Sequence, residues 1–292
     1  MRSIALREAI REAMSEEMRR DERVLLMGEE VAEYNGAYKV SQGMLAEFGA
    51  KRVIDTPISE LGFTAVAVGA AQNGLRPIVE FMTWNFAVLP LDQILNTASK
   101  MLAMSGGQIG CPIVMRGPNG SAGQLGAQHS TAFESYLANI PGIKVVSPSN
   151  GYDAKGLLTA AIEDPNPVLF FEHKGLYRSV SGPLPSAYYS LPLGKAAVLK
   201  EGSKATIITY GLGVIWAKEV VEALGEPIEI IDLRTLWPLD EETLLSSVKK
   251  TGKVIVLHED TLTGGIGGEI SALISEKAFE YLDAPVLRVG GL

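Results

Sequence analysis

The chain has 292 residues, a formal net charge of -8, 47% hydrophobic and 21% charged residues. This composition supports a large globular core and, at roughly 100–200 residues per domain, two domains; the acidic balance argues against a general nucleic-acid surface, which needs clustered Lys and Arg. The single cysteine, Cys111, precludes an intrachain disulfide and suits a reducing interior, and no apolar run approaches the roughly 18 residues of a membrane span.

The amino terminus has neither an apolar signal core nor an Arg/Ser-rich transit pattern, so a cytoplasmic protein is expected. Residues 3–20, rich in Glu and Arg, read as an amphipathic helix. The apolar run 24–27, closed by Gly28, reads as a buried strand. A helix near 38–48 and a second short strand at 52–55 follow. Residues 64–71 are small and apolar, which suits a helix packed closely on its neighbours. Residues 77–81 read as a strand, and 86–104 as a helix. Further strands are expected at 112–116, 143–147 and 167–172, with helices near 131–138 and 151–163.

Residues 181–194 contain three prolines and read as a linker without regular structure. Beyond it, strands at 205–210, 228–233, 254–257 and 286–289 alternate with helices at 214–224, 240–250 and 268–282. Short apolar strands separated by helices define an α/β protein of two domains, with mainly parallel sheets flanked by helices. The expected boundaries are 1–180, a linker at 181–194, and 195–292.

The chemistry is carried by longer literal blocks: Ile54-Asp55-Thr56-Pro57-Ile58-Ser59-Glu60, Glu80-Phe81-Met82-Thr83-Trp84-Asn85-Phe86, Arg116-Gly117-Pro118-Asn119-Gly120, Gln128-His129-Ser130 and Val145-Val146-Ser147-Pro148, then Asp232-Leu233-Arg234-Thr235-Leu236-Trp237-Pro238-Leu239-Asp240. In this order, across both halves, they resemble the β-subunit family of the pyruvate-decarboxylating component of 2-oxo acid dehydrogenase complexes, in the transketolase-like superfamily. The resemblance implies a thiamine-diphosphate-binding, pyrimidine-type first domain and a transketolase C-terminal-like second domain. Chains of this family run some tens of residues past Leu292, so a trimmed second domain is expected.

The implied activity is decarboxylation of pyruvate and reductive acetylation of a lipoyl group. The resemblance places on Glu60 the carboxyl that hydrogen-bonds the pyrimidine ring nitrogen of the cofactor. Spacing alone favours a plainer reading, a glutamate opening a helix where the dipole welcomes negative charge. Met82 and Phe86 are four apart and share a face if the second helix has begun; ordinary core is the plain reading, contact with the aminopyrimidine the implied one. His129 sits in a glycine-rich loop before a helix, and a lone histidine there is commonly a cap or a packed residue. The family places it at the mouth of the active site, near substrate or the incoming lipoyl group.

The resemblance also implies a potassium ion held mostly by backbone oxygens of Ile113, Ala161, Ile162, Asp164 and Asn166. The residues themselves show only a helix stop, with prolines at 165 and 167 leaving helix carbonyls unpaired. The glycine-rich stretches at 117–126 and 264–268 fit neither a P-loop nor a dinucleotide fingerprint, and both read as tight turns. No Gly-Asp-Gly segment occurs, which in this superfamily holds the diphosphate and its magnesium. An α subunit is therefore expected to supply that half of the site in an α2β2 heterotetramer, with a lipoyl-bearing dihydrolipoamide acetyltransferase core as a further partner. Alternatives are the β subunit of an acetoin or branched-chain 2-oxo acid dehydrogenase, a non-catalytic assembly subunit, and a stand-alone nucleotide-binding enzyme. The missing phosphate fingerprints argue against the last.

Overall fold

The computed structural model describes residues 2–121 and 125–292. The first half runs β1 (Arg2–Ala5), α1 (Leu6–Arg20), β2 (Val24–Gly28), α2 (Met44–Phe48), β3 (Val53–Asp55), α3 (Glu60–Gln72), β4 (Arg76–Glu80), α4 (Met101–Met104), β5 (Val114–Asn119), α5 (Glu134–Ala138), β6 (Lys144–Val146), α6 (Gly151–Glu163), β7 (Val168–His173) and α7 (Leu176–Ser179). After β8 (Ser181–Leu184) come β9 (Ala197–Lys200), β10 (Ala205–Thr209), α8 (Leu212–Leu224), β11 (Ile228–Asp232), β12 (Thr235–Trp237), α9 (Glu241–Thr251), β13 (Val254–Thr261), α10 (Ile266–Ala278) and β14 (Leu287–Gly291).

The strands form a seven-stranded sheet in the order β12-β6-β7-β5-β4-β2-β3 and a five-stranded sheet in the order β14-β13-β10-β11-β9. Both are parallel except at one edge, where β12 runs antiparallel to β6 and β9 antiparallel to β11. The interior strands β4, β5 and β7 are near-continuous runs of buried residues, as parallel sheets covered on both faces require. Helix α1 buries the stripe Leu6, Ile10, Ala13, Met14 and Met18, spaced at helical period. Its start is held by the Glu8 carboxylate, which accepts from the Ala5 N–H at 3.0 Å.

Several elements differ from expectation: β9 and β12 are strands where none was expected, and the helix expected near 38–48 is confined to Met44–Phe48. Residues 2–5 are a strand rather than the first turn of α1. Their partner is β8, inside the proline-rich segment expected to lack regular structure, with Ser3 opposite Pro183 in an antiparallel pair. A two-stranded ribbon has two edges, so a proline without an N–H is tolerated there. The helix expected over 86–104 is broken into a 3-10 turn at Trp84–Phe86, a π-helical stretch at Gln93–Ala98, and the short α4. Trp84 causes much of this: its indole is fully buried, stacks on Phe171 at 4.1 Å and donates to the Phe170 carbonyl. Pro90, lacking an N–H, then interrupts the ladder.

Across the middle of the larger sheet lies a buried ion triad. Arg116 on β5, with no solvent exposure, donates through Nε and Nη2 to both oxygens of Glu172 on β7, each at 2.5 Å. Its Nη1 reaches Glu80 on β4. Tyr177 adds a hydroxyl to Glu172 at 2.6 Å. Burial alone depresses a guanidinium, but Glu172 and Glu80 outweigh it and hold Arg116 well above its usual range. Removing one partner from such a set strands the others. Arg116→Met should cost about 3–5 kcal/mol of unfolding free energy, read as a lower urea midpoint; an unchanged midpoint would refute the triad's role.

Candidate active site

The carboxyl ends of parallel strands gather loops into one crevice, where ligands of α/β sheets bind. Here that edge carries Glu29 after β2, Glu60 after β3, Phe81 to Phe86 after β4, Asn119 at the end of β5, and His173 and Lys174 at the end of β7. Two glycines keep the strand ends close. A Cβ on Gly28 would lie 2.5 Å from the Glu80 carbonyl oxygen, and one on Gly117 would lie 2.5 Å from that of Phe81.

Glu60 is the first residue of α3 and is buried, where the free N–H groups of a helix start favour a carboxylate. It faces a second buried acid, Glu29. Burial first, and the Glu60 charge second, push the Glu29 carboxyl up to about 6. Its Oε1 has no hydrogen-bond partner among the described residues. The loop behind Glu29 is pinned by Asp55 at the end of β3, whose carboxylate accepts from the N–H groups of Ala32 (2.7 Å) and Glu33 (3.0 Å). Sequence reasoning missed Glu29. The available signal was an acid directly after an apolar strand that ends in glycine.

Met82 is partly buried and precedes the Thr83 cap, whose backbone is extended (φ -155°, ψ 145°). Met82 and Phe86 therefore do not share the face of one continuous helix, contrary to the spacing argument. Phe86 closes the 3-10 turn and meets His129: the two rings stand edge-on, 5.2 Å apart. His129 ends a 3-10 turn, Ala127–His129. Gly123 and Gln124 of its glycine-rich loop lie outside the described residues. Around His129 the backbone is fastened three times. Lys174 Nζ donates to the His129 carbonyl at 2.6 Å, Asn85 Oδ1 accepts from Thr131 N–H at 3.0 Å, and Asn119 Oδ1 accepts from Phe133 N–H at 3.3 Å. None of these three anchors was singled out from sequence.

The next residue along, Glu134, opens α5 beneath the second domain. Burial, with Asp260 and Glu259 nearby, raises its carboxyl to about 8 against a hydrogen bond from Asn119. Its surroundings join the two halves: Ser135 donates to Asp260 at 2.5 Å, Ser121 donates to Glu259 at 2.9 Å, and His173 Nε2 lies 2.9 Å from the other Glu259 oxygen.

The residues expected to hold potassium lie together where α6 stops against the start of β7. The Ile113 carbonyl accepts from Val168 N–H at 2.9 Å, and the Asp164 carboxylate accepts from Asn166 N–H at 2.9 Å. The carbonyls of Ile162 and Asp164 accept from the Arg76 guanidinium at 2.7 and 3.3 Å. The Arg76 guanidinium thus already occupies two of the carbonyls expected to bind the ion, and its positive charge opposes a second cation beside it. Among the described residues, no three His, Cys, Asp or Glu side chains are grouped to hold a metal.

Two parallel α/β domains with buried acids at the strand ends of the first define a transketolase-type chain. Residues 2–180 match the transketolase pyrimidine binding domain, and residues 194–292 the transketolase C-terminal domain. A solved structure titled "Split gene transketolase, inactive beta4 tetramer" superposes with a TM-score of 0.80 at 22% identity, over 98% of this chain and 88% of that one. The pyruvate dehydrogenase E1 component subunit β of Rickettsia bellii is 53% identical, covering 99% of this chain and 89% of that protein. Its namesake in Rhizobium meliloti is 52% identical over all of this chain, which spans 64% of that protein's length. The chain belongs to the family of pyruvate dehydrogenase E1 component β subunits.

Glu29 and Glu134 both titrate above the ordinary glutamate value of 4.5. Folding therefore favours their protonated forms. Neither destabilises the protein below about pH 4.5, and each penalty grows as pH rises, levelling off above about 6 for Glu29 and about 8 for Glu134, at up to about 1.4 kcal/mol per pH unit. Urea midpoints should fall between pH 6 and about 8.5, and Glu134→Gln should flatten that fall. A variant with the parent slope would show that Glu134 is not the group responsible.

Proposed function

We propose that the chain decarboxylates pyruvate with thiamine diphosphate, as the β subunit of a pyruvate dehydrogenase E1 component, and passes the acetyl group to a lipoyl arm. The observation that carries this is the pair of buried acids, Glu60 at the start of α3 and Glu29 beside it, at the strand-end crevice of a chain of this family.

The residues present suit the pyrimidine half of that cofactor. A buried carboxyl on a helix start, a neighbouring acid with an unpartnered oxygen, and the partly buried Phe86 ring offer one proton-holding group, one polar contact and one apolar wall. Thiamine diphosphate supplies, when bound, the electron sink that decarboxylation of a 2-oxo acid needs. Glu60, buried at the start of α3, would present its carboxyl to the pyrimidine ring nitrogen, and dry surroundings strengthen such a hydrogen bond. Burial and the Glu60 charge raise the neighbouring Glu29 carboxyl to about 6, so Glu29 holds a proton more readily than an exposed glutamate does. Phe86, and Met82 from the separate segment before the Thr83 cap, would wall the aminopyrimidine, with His129 edge-on to Phe86 on the side proposed for substrate.

The diphosphate and magnesium are proposed to be held by an α subunit, since this chain has no Gly-Asp-Gly segment. Exposed apolar side chains on the segments that follow β3 and β4 are compatible with such a partner: Ile58 is 85% exposed, Val66 64% and Leu89 57%. An α2β2 assembly, docking on a lipoyl-bearing acetyltransferase core, and a cytoplasmic setting complete the proposal. No helix of the described residues is long and apolar enough to cross a membrane.

The test is to produce the chain with and without an α subunit, add thiamine diphosphate and magnesium, and follow carbon dioxide release from pyruvate and from branched 2-oxo acids. Turnover should require both subunits and favour pyruvate. Glu60→Gln should lower it by about 10²-fold or more, the scale of a positioned acid–base group. Full turnover in an assembled Glu60→Ala enzyme would sink the assignment.

A further inference from the structure

A lysine only 9% exposed, whose ammonium donates to a neutral main-chain oxygen, demands an explanation. A lysine is seldom enclosed unless paired, and the enclosed cation costs solvation. Lys174 is such a group. It follows the last residue of β7, and its own N–H bonds to the Asn119 carbonyl at 3.2 Å, which fixes its backbone to β5. Its Nζ spans to the His129 carbonyl at 2.6 Å, 45 residues away in sequence. Burial lowers the affinity of this amine for its proton, and the nearby Glu259 carboxylate opposes that loss.

The contact falls on a special residue. His129 is the one histidine of three in this chain that is not buried; His173 and His258 both are. Its backbone is fastened on the carboxyl-terminal side by Asn85 and Asn119, through neutral amide oxygens. Of these contacts the one from Lys174 is charge-assisted, a class of hydrogen bond roughly twice as strong as a neutral one, and it holds the His129 carbonyl, while the His129 N–H bonds to the Gly126 carbonyl at 3.1 Å. With the carbonyl held, the imidazole stays edge-on to Phe86.

We infer that Lys174 is a positioning residue, whose ammonium holds the His129 main chain so that the imidazole stands over Phe86 at the mouth of the crevice. The inference rests on the reading of His129 as the substrate-facing residue of the proposed reaction. Lys174 does not itself touch substrate. It acts by fixing the histidine's backbone, and the Glu259 carboxylate of the second domain opposes the loss of its proton. Through that carboxylate, which also accepts from Ser121, the second domain bears on both ends of the His129 loop.

The experiment compares the parent, Lys174→Met and Lys174→Arg as assembled holoenzymes. Methionine keeps the length and apolar stem without the donor. Arginine restores a charged donor. Carbethoxylation of each histidine by diethyl pyrocarbonate is timed by mass spectrometry, and turnover is measured alongside. Lys174→Met should raise the His129 labelling rate about threefold or more, with His173 and His258 still protected, as expected for a local release. It should also lower kcat about tenfold with KM for pyruvate little changed, since small misplacements of a reacting group are costly. Lys174→Arg should recover both.

Unchanged His129 labelling in Lys174→Met overturns the inference, as does faster labelling with undiminished kcat. Labelling at His173 and His258 as well would mean general loosening of the fold, and also counts against it. Full turnover in His129→Ala would remove the role given to the histidine while leaving the labelling comparison valid, so the two failures are told apart.

Discussion

The crevice depends on one charge that never meets water. Arg116 lies at the centre of the seven-stranded sheet and is satisfied by carboxylates from the strands on both sides, Glu80 on β4 and Glu172 on β7. Backbone ladders set the spacing of strands, but they leave the ends free to fray. A guanidinium shared between two strand ends removes that freedom, because any splaying exposes a buried ion without its partner. The loops that carry Phe81 to Phe86, Asn119 and Lys174 all leave from these three strands. Their mutual distances are thus set by an ionic tie beneath the crevice rather than by contacts within it.

The alternation of short apolar strands and helices was legible because parallel sheets impose it, and every parallel strand of both large sheets falls where its apolar run predicts. The antiparallel edges were not legible. β9 and β12 are short, and their pairing depends on partners far away in sequence. The broken helix after β4 follows from a tertiary requirement, the burial of Trp84 against Phe171, that no local period reports. Likewise Pro183 looks like a breaker until its partner Ser3 is known.

Site residues divide the same way. Glu60 and His129 were reached through the long literal blocks around them, while their spacing alone pointed to a helix start and a lone histidine. Glu29 has no motif of its own; its character comes from burial beside Glu60, a relation between two strand ends. Lys174 stands amid charged and polar neighbours in sequence, and only the fold shows that its side chain turns inward to a carbonyl 45 residues earlier. The carbonyls at the end of α6 meet a guanidinium that sequence did not suggest, since Arg76 is distant from both of them along the chain.

The strand β12 belongs by sequence to the second domain and by hydrogen bonding to the first, pairing Thr235 with Val146 and Trp237 with Val145. Around it, Ser149 donates to Asp232 at 2.5 Å and Arg234 meets Asp153 at 2.7 Å. The largest apolar cluster runs without a break from Met115 and Val145 into Ile208, Leu236 and Val256. The two domains are consequently not beads on a string. If residues 195–292 were cut away, β6 would become an uncovered edge with unpaired N–H and C=O groups, next to freshly exposed apolar surface. Such an edge recruits strands from other chains, so the isolated first domain would be a nucleus for aggregation rather than half of a working protein.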